Sequence, residues 1–98
     1  MKYEQISNLA DGLKDYLIDV RRILHRHPET SGNELWTSAF LQEEVKKLGL
    51  PIEMVSRTGF IATLDTGRPG PHIVLRADID ALPVEENKEN LKKGRVCI

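Results

Sequence analysis

The chain has 98 residues, enough for one modest domain, and its 14 basic and 15 acidic residues leave a net charge of −1. Because the basic and acidic residues are nearly equal in number, the composition indicates no basic surface for nucleic acid or an anionic membrane. No apolar stretch approaches the roughly 18 to 20 residues of a membrane span. The first residues lack the apolar run of a signal peptide, and Cys97 is the single cysteine. We therefore expect a cytoplasmic domain with no nucleic-acid or membrane partner and no internal disulfide.

The N-terminal part of the chain predicts one long helix. Its apolar residues recur at steps of three and four, which is typical of a helix with one buried face. They are Ile6, Leu9, Leu13, Tyr16, Leu17, Val20 and Leu24. Pro28 disfavours a helical backbone at the residue before it, so we expect this helix to end near His27.

A second helix is predicted from about residue 32 to about residue 48. Ser31 precedes Glu34 by three residues, which is the spacing of a capping box at the start of a helix. Gly49 and Pro51 indicate the end of this helix. The apolar face between these signals consists of Leu35, Trp36, Ala39, Phe40, Val45 and Leu48.

Three short stretches after Gly49 predict strands. Residues 51–56 and 59–65 are rich in β-branched residues, and residues 72–78 are apolar almost without alternation, as in a strand covered on both faces. The glycines and prolines of residues 66–71 have turn chemistry, so we expect the last two strands to pair as an antiparallel hairpin. The sequence thus predicts an α/β fold, with two N-terminal helices packed on the first strands of a mixed sheet.

The tail, VEENKENLKKGRVCI, begins as a charged loop and ends on three apolar residues that resemble the start of a strand. Three such residues at a terminus have little to pack on, so we expect the chain to be truncated within a larger domain. Cys97 lies in this tail without a neighbouring histidine or second cysteine, and it is interpreted as a small buried side chain, not a zinc ligand.

The segment LHRHPE brings together His25, His27 and Glu29, residue types that bind metal ions. On a helix, side chains two positions apart diverge by about 200° and do not share a face. We therefore expect His25 to pack or hydrogen-bond within the fold, and His27 to help end the helix.

Two carboxylates, Asp78 and Asp80, follow closely after the apolar run IVL at residues 73–75. Burying an unpaired carboxylate is costly, so the pair is expected at a solvated strand end, bound to a ligand, or both. One interpretation places them at the carboxyl end of a central strand, where open α/β sheets bind ligands. The other makes them loop-capping residues or partners of Arg76. The pattern alone favours neither.

Several motifs together resemble one known family. They are LHRHPE, the ExxT spacing of Glu34 and Thr37, TGFIATL and RADIDALP. From about Arg21 to Glu86, their order and spacing are similar to the N-terminal segment of the metal-dependent amidohydrolases. This group comprises the aminoacylases, hippurate hydrolases and indoleacetyl-amino-acid hydrolases, within the aminoacylase and carboxypeptidase metallopeptidase superfamily. Each motif is short, but the ordered set is far more specific than any one of them.

The resemblance implies a catalytic α/β domain with a mixed sheet, interrupted by a smaller lid domain that also mediates dimerisation. It implies hydrolysis of the amide bond of an N-acyl amino acid at a pair of divalent metal ions, zinc or manganese, with a glutamate as general base. Residues 1–98 would form the N-terminal part of the catalytic domain, without the lid.

Carried over residue by residue, the resemblance reaches few site residues. Asp80 matches the family aspartate that orients a metal-ligating side chain from behind it. The wider superfamily has a ligating histidine at the position of Asp78, whereas the amidohydrolase branch has an aspartate there, so Asp78 is the second candidate catalytic residue. The family's ligands and general base follow beyond Ile98, so we expect no metal ligand or cofactor in this chain, and no activity from it alone.

A second hypothesis is a non-catalytic α/β domain that binds a partner chain or self-associates through an open sheet edge. For either hypothesis we expect a homo-oligomer. Only the first has an N-acyl amino acid as its small-molecule substrate.

Overall fold

The computed structural model of the chain describes residues 2–84, which hold three helices and two strands. In chain order these are α1 (Tyr3–Gly12), α2 (Lys14–His25), α3 (Leu35–Lys46), β1 (Ile52–Met54) and β2 (Phe60–Ala62). The chain divides into two compact units, one with α1 and α2 and the other with residues Pro28–Pro83. The predicted α/β class is confirmed. The predicted tail loop, the strand start at its end and Cys97 lie outside the described residues.

The long N-terminal helix is present as two helices that meet at Leu13. This residue is the C-cap of α1 and the N-cap of α2, and its backbone stays near helical values, with φ −92° and ψ −4°. Gly12 directly before it favours a break, because glycine is about 1 kcal/mol less favourable than alanine in a helix. The predicted end is confirmed: α2 stops at His25, and the Nδ1 atom of His27 hydrogen-bonds to the carbonyl of Ile23 at 2.9 Å.

The second predicted helix is confirmed as α3, but it begins later than expected. Glu34 is its N-cap residue and makes no side-chain capping bond, so the capping box predicted from Ser31 and Glu34 is not formed. At the other end, the N–H of Gly49 donates to the carbonyl of Lys46 at 2.9 Å, with Gly49 at φ +77°. A left-handed glycine of this kind is a common helix terminator, as the sequence indicated.

The two strands pair as an antiparallel hairpin closed by a tight turn. The carbonyl of Gly59 accepts the N–H of Val55 at 3.0 Å, and the N–H of Gly59 donates to Ser56 Oγ at 2.8 Å. The register places three residue pairs opposite one another, Ile52 with Ala62, Glu53 with Ile61, and Met54 with Phe60.

The hairpin predicted between residues 59–65 and 72–78 is wrong. The second strand pairs with the first, and residues 72–78 form no ladder with any strand within residues 2–84. Their apolar side chains are exposed, to 81% for Ile73, 87% for Val74 and 94% for Leu75. A strand of this composition needs neighbours on both faces, and the described part of the chain supplies none.

The buried positions among residues 2–84 are polar. They are Glu34, Thr37, Ser38 and Thr58, and no hydrophobic residue of this range is equally enclosed. Apolar side chains pack only in part, as where the Trp36 and Phe40 rings stack with centroids 5.3 Å apart. None of the helices described here has the length and apolar character that crossing a membrane requires.

Candidate functional site

The first turn of α3 is capped by Glu29, which lies upstream of the helix. Its carboxylate accepts the backbone N–H of Trp36 at 3.2 Å and that of Thr37 at 2.6 Å. It also accepts the hydroxyl of Thr37. The first N–H groups of a helix have no partner within the helix and carry partial positive charge, so a carboxylate is well suited to this position. Glu29 therefore takes the capping role that the sequence assigned to Ser31.

A second set of polar contacts joins α3 to the turn between the strands. We call it the α3–turn cluster, and it consists of Glu34, Ser38, Gln42 and Thr58. Ser38 Oγ donates to the carbonyl of Thr58 at 2.6 Å and accepts Gln42 Nε2 at 3.0 Å. Thr58 Oγ1 lies 3.4 Å from Glu34 Oε2, and Glu34 Oε1 is buried without a hydrogen-bond partner within residues 2–84. These hydrogen bonds hold the turn against the helix.

Ser38→Ala should lower the free energy of unfolding by about 1–3 kcal/mol, because it leaves the buried carbonyl of Thr58 without its donor. Ser31→Ala is the matched control. Ser31 is exposed and does not cap α3, so this change should stay within about 0.5 kcal/mol. Urea denaturation of both variants measures the difference. Equal losses in the two variants would contradict the assignment of the cap to Glu29 and of the buried bond to Ser38.

The two aspartates of RADIDALP lie at the surface. Asp78 Oδ1 is 2.7 Å from a terminal nitrogen of Arg76, in a pair whose side chains are 67% and 80% exposed. The interpretation that pairs a carboxylate with Arg76 is thus confirmed for Asp78. Asp80 is also exposed, and within residues 2–84 the structure gives it no hydrogen bond or ion pair. An exposed pair of this kind contributes about 0–1 kcal/mol, so it fixes Asp78 only weakly.

Ala81, the residue after Asp80, is hydrogen-bonded to Glu29, which lies upstream of α3. The backbone N–H of Ala81 donates to the main-chain carbonyl of Glu29 at 2.8 Å. Glu29 thereby contacts two segments that lie far apart in sequence. Its side chain bonds to the first turn of α3, and its backbone bonds to residues 76–83, RADIDALP, which we call the aspartate segment. The sequence named Glu29 only as a possible metal ligand beside His25 and His27, so this role was missed. The spacing of the residues around Glu29 gives no indication of this role.

The described residues do not by themselves form a metal site, and the family resemblance implies none of its ligands among them. No group of three His, Cys, Asp or Glu side chains within residues 2–84 could hold a metal ion. Asp78 is engaged by Arg76, and a zinc site takes three or four ligands. His27 bonds to a backbone carbonyl at the end of α2, as expected for a helix-ending residue. His25 is half-buried and also has an interaction partner, which agrees with the expectation that it packs or hydrogen-bonds.

Comparison with known proteins finds several hydrolases similar to most of this chain. The N-acetyl-L-cysteine deacetylase of Bacillus subtilis is 45% identical over 75 residues, 76% of this chain and 18% of its own. The N-acyl-L-amino acid amidohydrolase of Geobacillus stearothermophilus is 39% identical over 88% of this chain and 24% of its own. Thermostable carboxypeptidase 1 of Saccharolobus solfataricus is 37% identical over 95% of this chain and 24% of its own. The chain belongs to this amidohydrolase family.

The similarity extends over a small part of each relative. The chain spans about a quarter or less of the length of these relatives, 18% to 24%. No family model matches it. No solved structure matches it either.

Proposed function

We propose that residues 1–98 are the N-terminal part of the catalytic domain of an amidohydrolase that cleaves the amide bond of N-acyl amino acids. The similarity to two relatives carries this proposal. The N-acyl-L-amino acid amidohydrolase and the N-acetyl-L-cysteine deacetylase share 39% and 45% identity with the chain. Both names specify a bond between an acyl group and the nitrogen of an amino acid, which water cleaves to a carboxylic acid and a free amino acid.

The described residues contribute framework, not ligands, to this reaction. Asp80 is the one site residue we assign, as the aspartate that orients a ligating side chain from behind it. Asp78 is a surface partner of Arg76 and receives no role in the chemistry. A zinc or manganese cofactor would belong to the longer protein, by which we mean residues 1–98 followed by the rest of the amidohydrolase. The described donors are too few to hold it.

The remaining features of the longer protein are part of the same proposal. The lid and dimerisation domain would lie outside residues 1–98, and the assembled protein would be a cytoplasmic homo-oligomer. Its small-molecule partner would be the N-acyl amino acid. The lid and the oligomeric state rest on the family resemblance, and the cytoplasmic location rests on the composition and the first residues of the chain. The substrate also has the support of the names of the two relatives.

The substrate class is tested with the longer protein and two kinds of substrate that share a C-terminal amino acid. One kind is an N-acetyl amino acid or hippurate, and the other is a short unblocked peptide. Release of the free amino acid should be faster from the N-acyl compounds, by about tenfold or more in kcat/KM. A preference for the peptide would contradict the proposal in favour of a carboxypeptidase, the activity named for the Saccharolobus relative.

The second hypothesis, association through an open sheet edge, has a test of its own. Ile73, Val74 and Leu75 are 81% to 94% exposed in a segment that pairs with no strand within residues 2–84. Exposed apolar segments of this kind associate readily with other chains. Measuring the mass of the 98-residue chain in solution, with Val74→Lys as the matched variant, tests this hypothesis. A monomer that Val74→Lys leaves unchanged would contradict it.

A further inference from the structure

Glu29 is the one residue that joins the aspartate segment to the first turn of α3 in the contacts described above. Its carboxylate receives three hydrogen bonds from Trp36 and Thr37, and it is half-buried. A side chain held by two backbone N–H groups and a hydroxyl has little freedom, because each donor restricts its rotamer. The main chain at Glu29 is therefore fixed relative to α3.

The same residue fixes the position of Asp80. The carbonyl of Glu29 accepts the N–H of Ala81 at 2.8 Å. The Cα atoms of adjacent residues are about 3.8 Å apart, so a bond at Ala81 restricts Asp80 directly. Regular secondary structure is absent from residues 63–84, and the Arg76–Asp78 pair is exposed. Therefore neither the hydrogen bonds of a helix or strand nor the Arg76–Asp78 pair would hold Asp80 in place without the bond from Ala81.

The geometry points to Glu29 as a positioning residue for Asp80. Its carboxylate anchors it to α3, and its main-chain carbonyl holds the amide next to Asp80, so the aspartate takes its place relative to a rigid helix. This inference rests on the proposed function, which gives Asp80 its role. It connects the motifs HPE, ExxT and RADIDALP, because Thr37 and Ala81, which belong to the second and third motifs, both donate a hydrogen bond to Glu29 of the first.

The first test measures hydrogen exchange of individual amides in the 98-residue chain. In Glu29→Ala, exchange at the Ala81 amide should become about tenfold faster or more, since its acceptor is no longer fixed. Exchange at the Val55 amide, which bonds to Gly59 in the turn between the strands, should stay unchanged. Glu53→Gln, at an exposed position of β1, is the control and should change neither amide.

A second pair of variants separates positioning from loss of folding. Thr37→Val removes the hydroxyl that bonds to Glu29, whereas Thr37→Ser retains it. Exchange at Ala81 should accelerate in Thr37→Val and return towards the wild-type rate in Thr37→Ser. If Glu29→Ala does not fold, this pair still decides the question. An Ala81 amide that is insensitive to both Glu29→Ala and Thr37→Val would overturn the inference.

The second test uses the longer protein and separates kcat from KM. Glu29→Gln should lower kcat about tenfold or more while KM stays within about twofold, because misplacing a site residue slows the reaction without removing substrate contacts. An unchanged kcat, together with faster exchange at Ala81, would overturn the positioning role and leave the proposed function intact. A wild-type longer protein that hydrolyses no N-acyl amino acid would instead remove the proposed function, and the role of Asp80 with it.

Discussion

Replacing Asp80 with alanine in the longer protein should lower turnover of N-acyl amino acids by about 10- to 100-fold, the usual loss when a residue that orients a ligand is removed. The effect should lie in kcat, since Asp80 is assigned no contact with the substrate. In the 98-residue chain the same change should alter stability alone, and by no more than about 0.5 kcal/mol, because Asp80 is exposed and has no bonded partner within residues 2–84.

Asp19→Ala is the control for this prediction. Asp19 is an exposed residue of α2, and replacing it with alanine removes the same charge at another surface position. Its turnover should stay within about twofold of the wild type. Asp78→Ala adds a second comparison, since Asp78 pairs with Arg76 and is assigned no chemical role. Equal losses in Asp78→Ala and Asp80→Ala would contradict the assignment of Asp80 as the residue that matters.

The 98-residue chain should hold zinc or manganese weakly or not at all. The described part of the chain offers Asp78 and Asp80 as candidate donors, which is fewer than the three or four ligands of a zinc site. Elemental analysis after dialysis should find well under one metal ion per chain, and Asp80→Ala should leave that value unchanged. About one tightly held metal ion per chain would place ligands in these 98 residues and contradict the prediction.

The helix ends could be predicted because their signals are local. Pro28 acts on the residue directly before it, and Gly49 adopts the left-handed conformation that few other residues tolerate. Both act through backbone sterics and need no knowledge of the rest of the fold. The break at Leu13 was missed because the apolar period runs through it without interruption, while the backbone there departs only slightly from a helix.

The choice of strand partner could not be predicted in the same way. The turn chemistry of residues 66–71 is present, since Asp65 Oδ1 accepts the N–H of Gly67 at 2.8 Å. A turn nevertheless does not determine whether the strands beside it pair with each other. The turn closed by Gly59 joins β1 and β2 instead. The apolar run at residues 72–78 calls for neighbours on both faces, which a local reading cannot identify.

The contacts around the site also divide into local ones, which could be predicted, and long-range ones, which could not. The pairing of Asp78 with Arg76 was foreseen as one alternative, because the two residues are close neighbours in the sequence. The roles of Glu29 and Ser38 were not foreseen, because each depends on the fold bringing distant segments together. Glu29 meets Ala81, and Ser38 meets Thr58, 20 residues further along the chain. A single sequence contains no signal for such meetings beyond the family motifs themselves.

The central proposal is that this chain is the N-terminal part of an N-acyl amino acid amidohydrolase and has no activity on its own. It is tested most directly by measuring hydrolysis of an N-acetyl amino acid and of hippurate by the 98-residue chain and by the longer protein, each with added manganese or zinc. The account predicts metal-dependent turnover by the longer protein and none by the 98-residue chain. Metal-dependent turnover by the 98-residue chain alone, or no turnover by the longer protein, would contradict it.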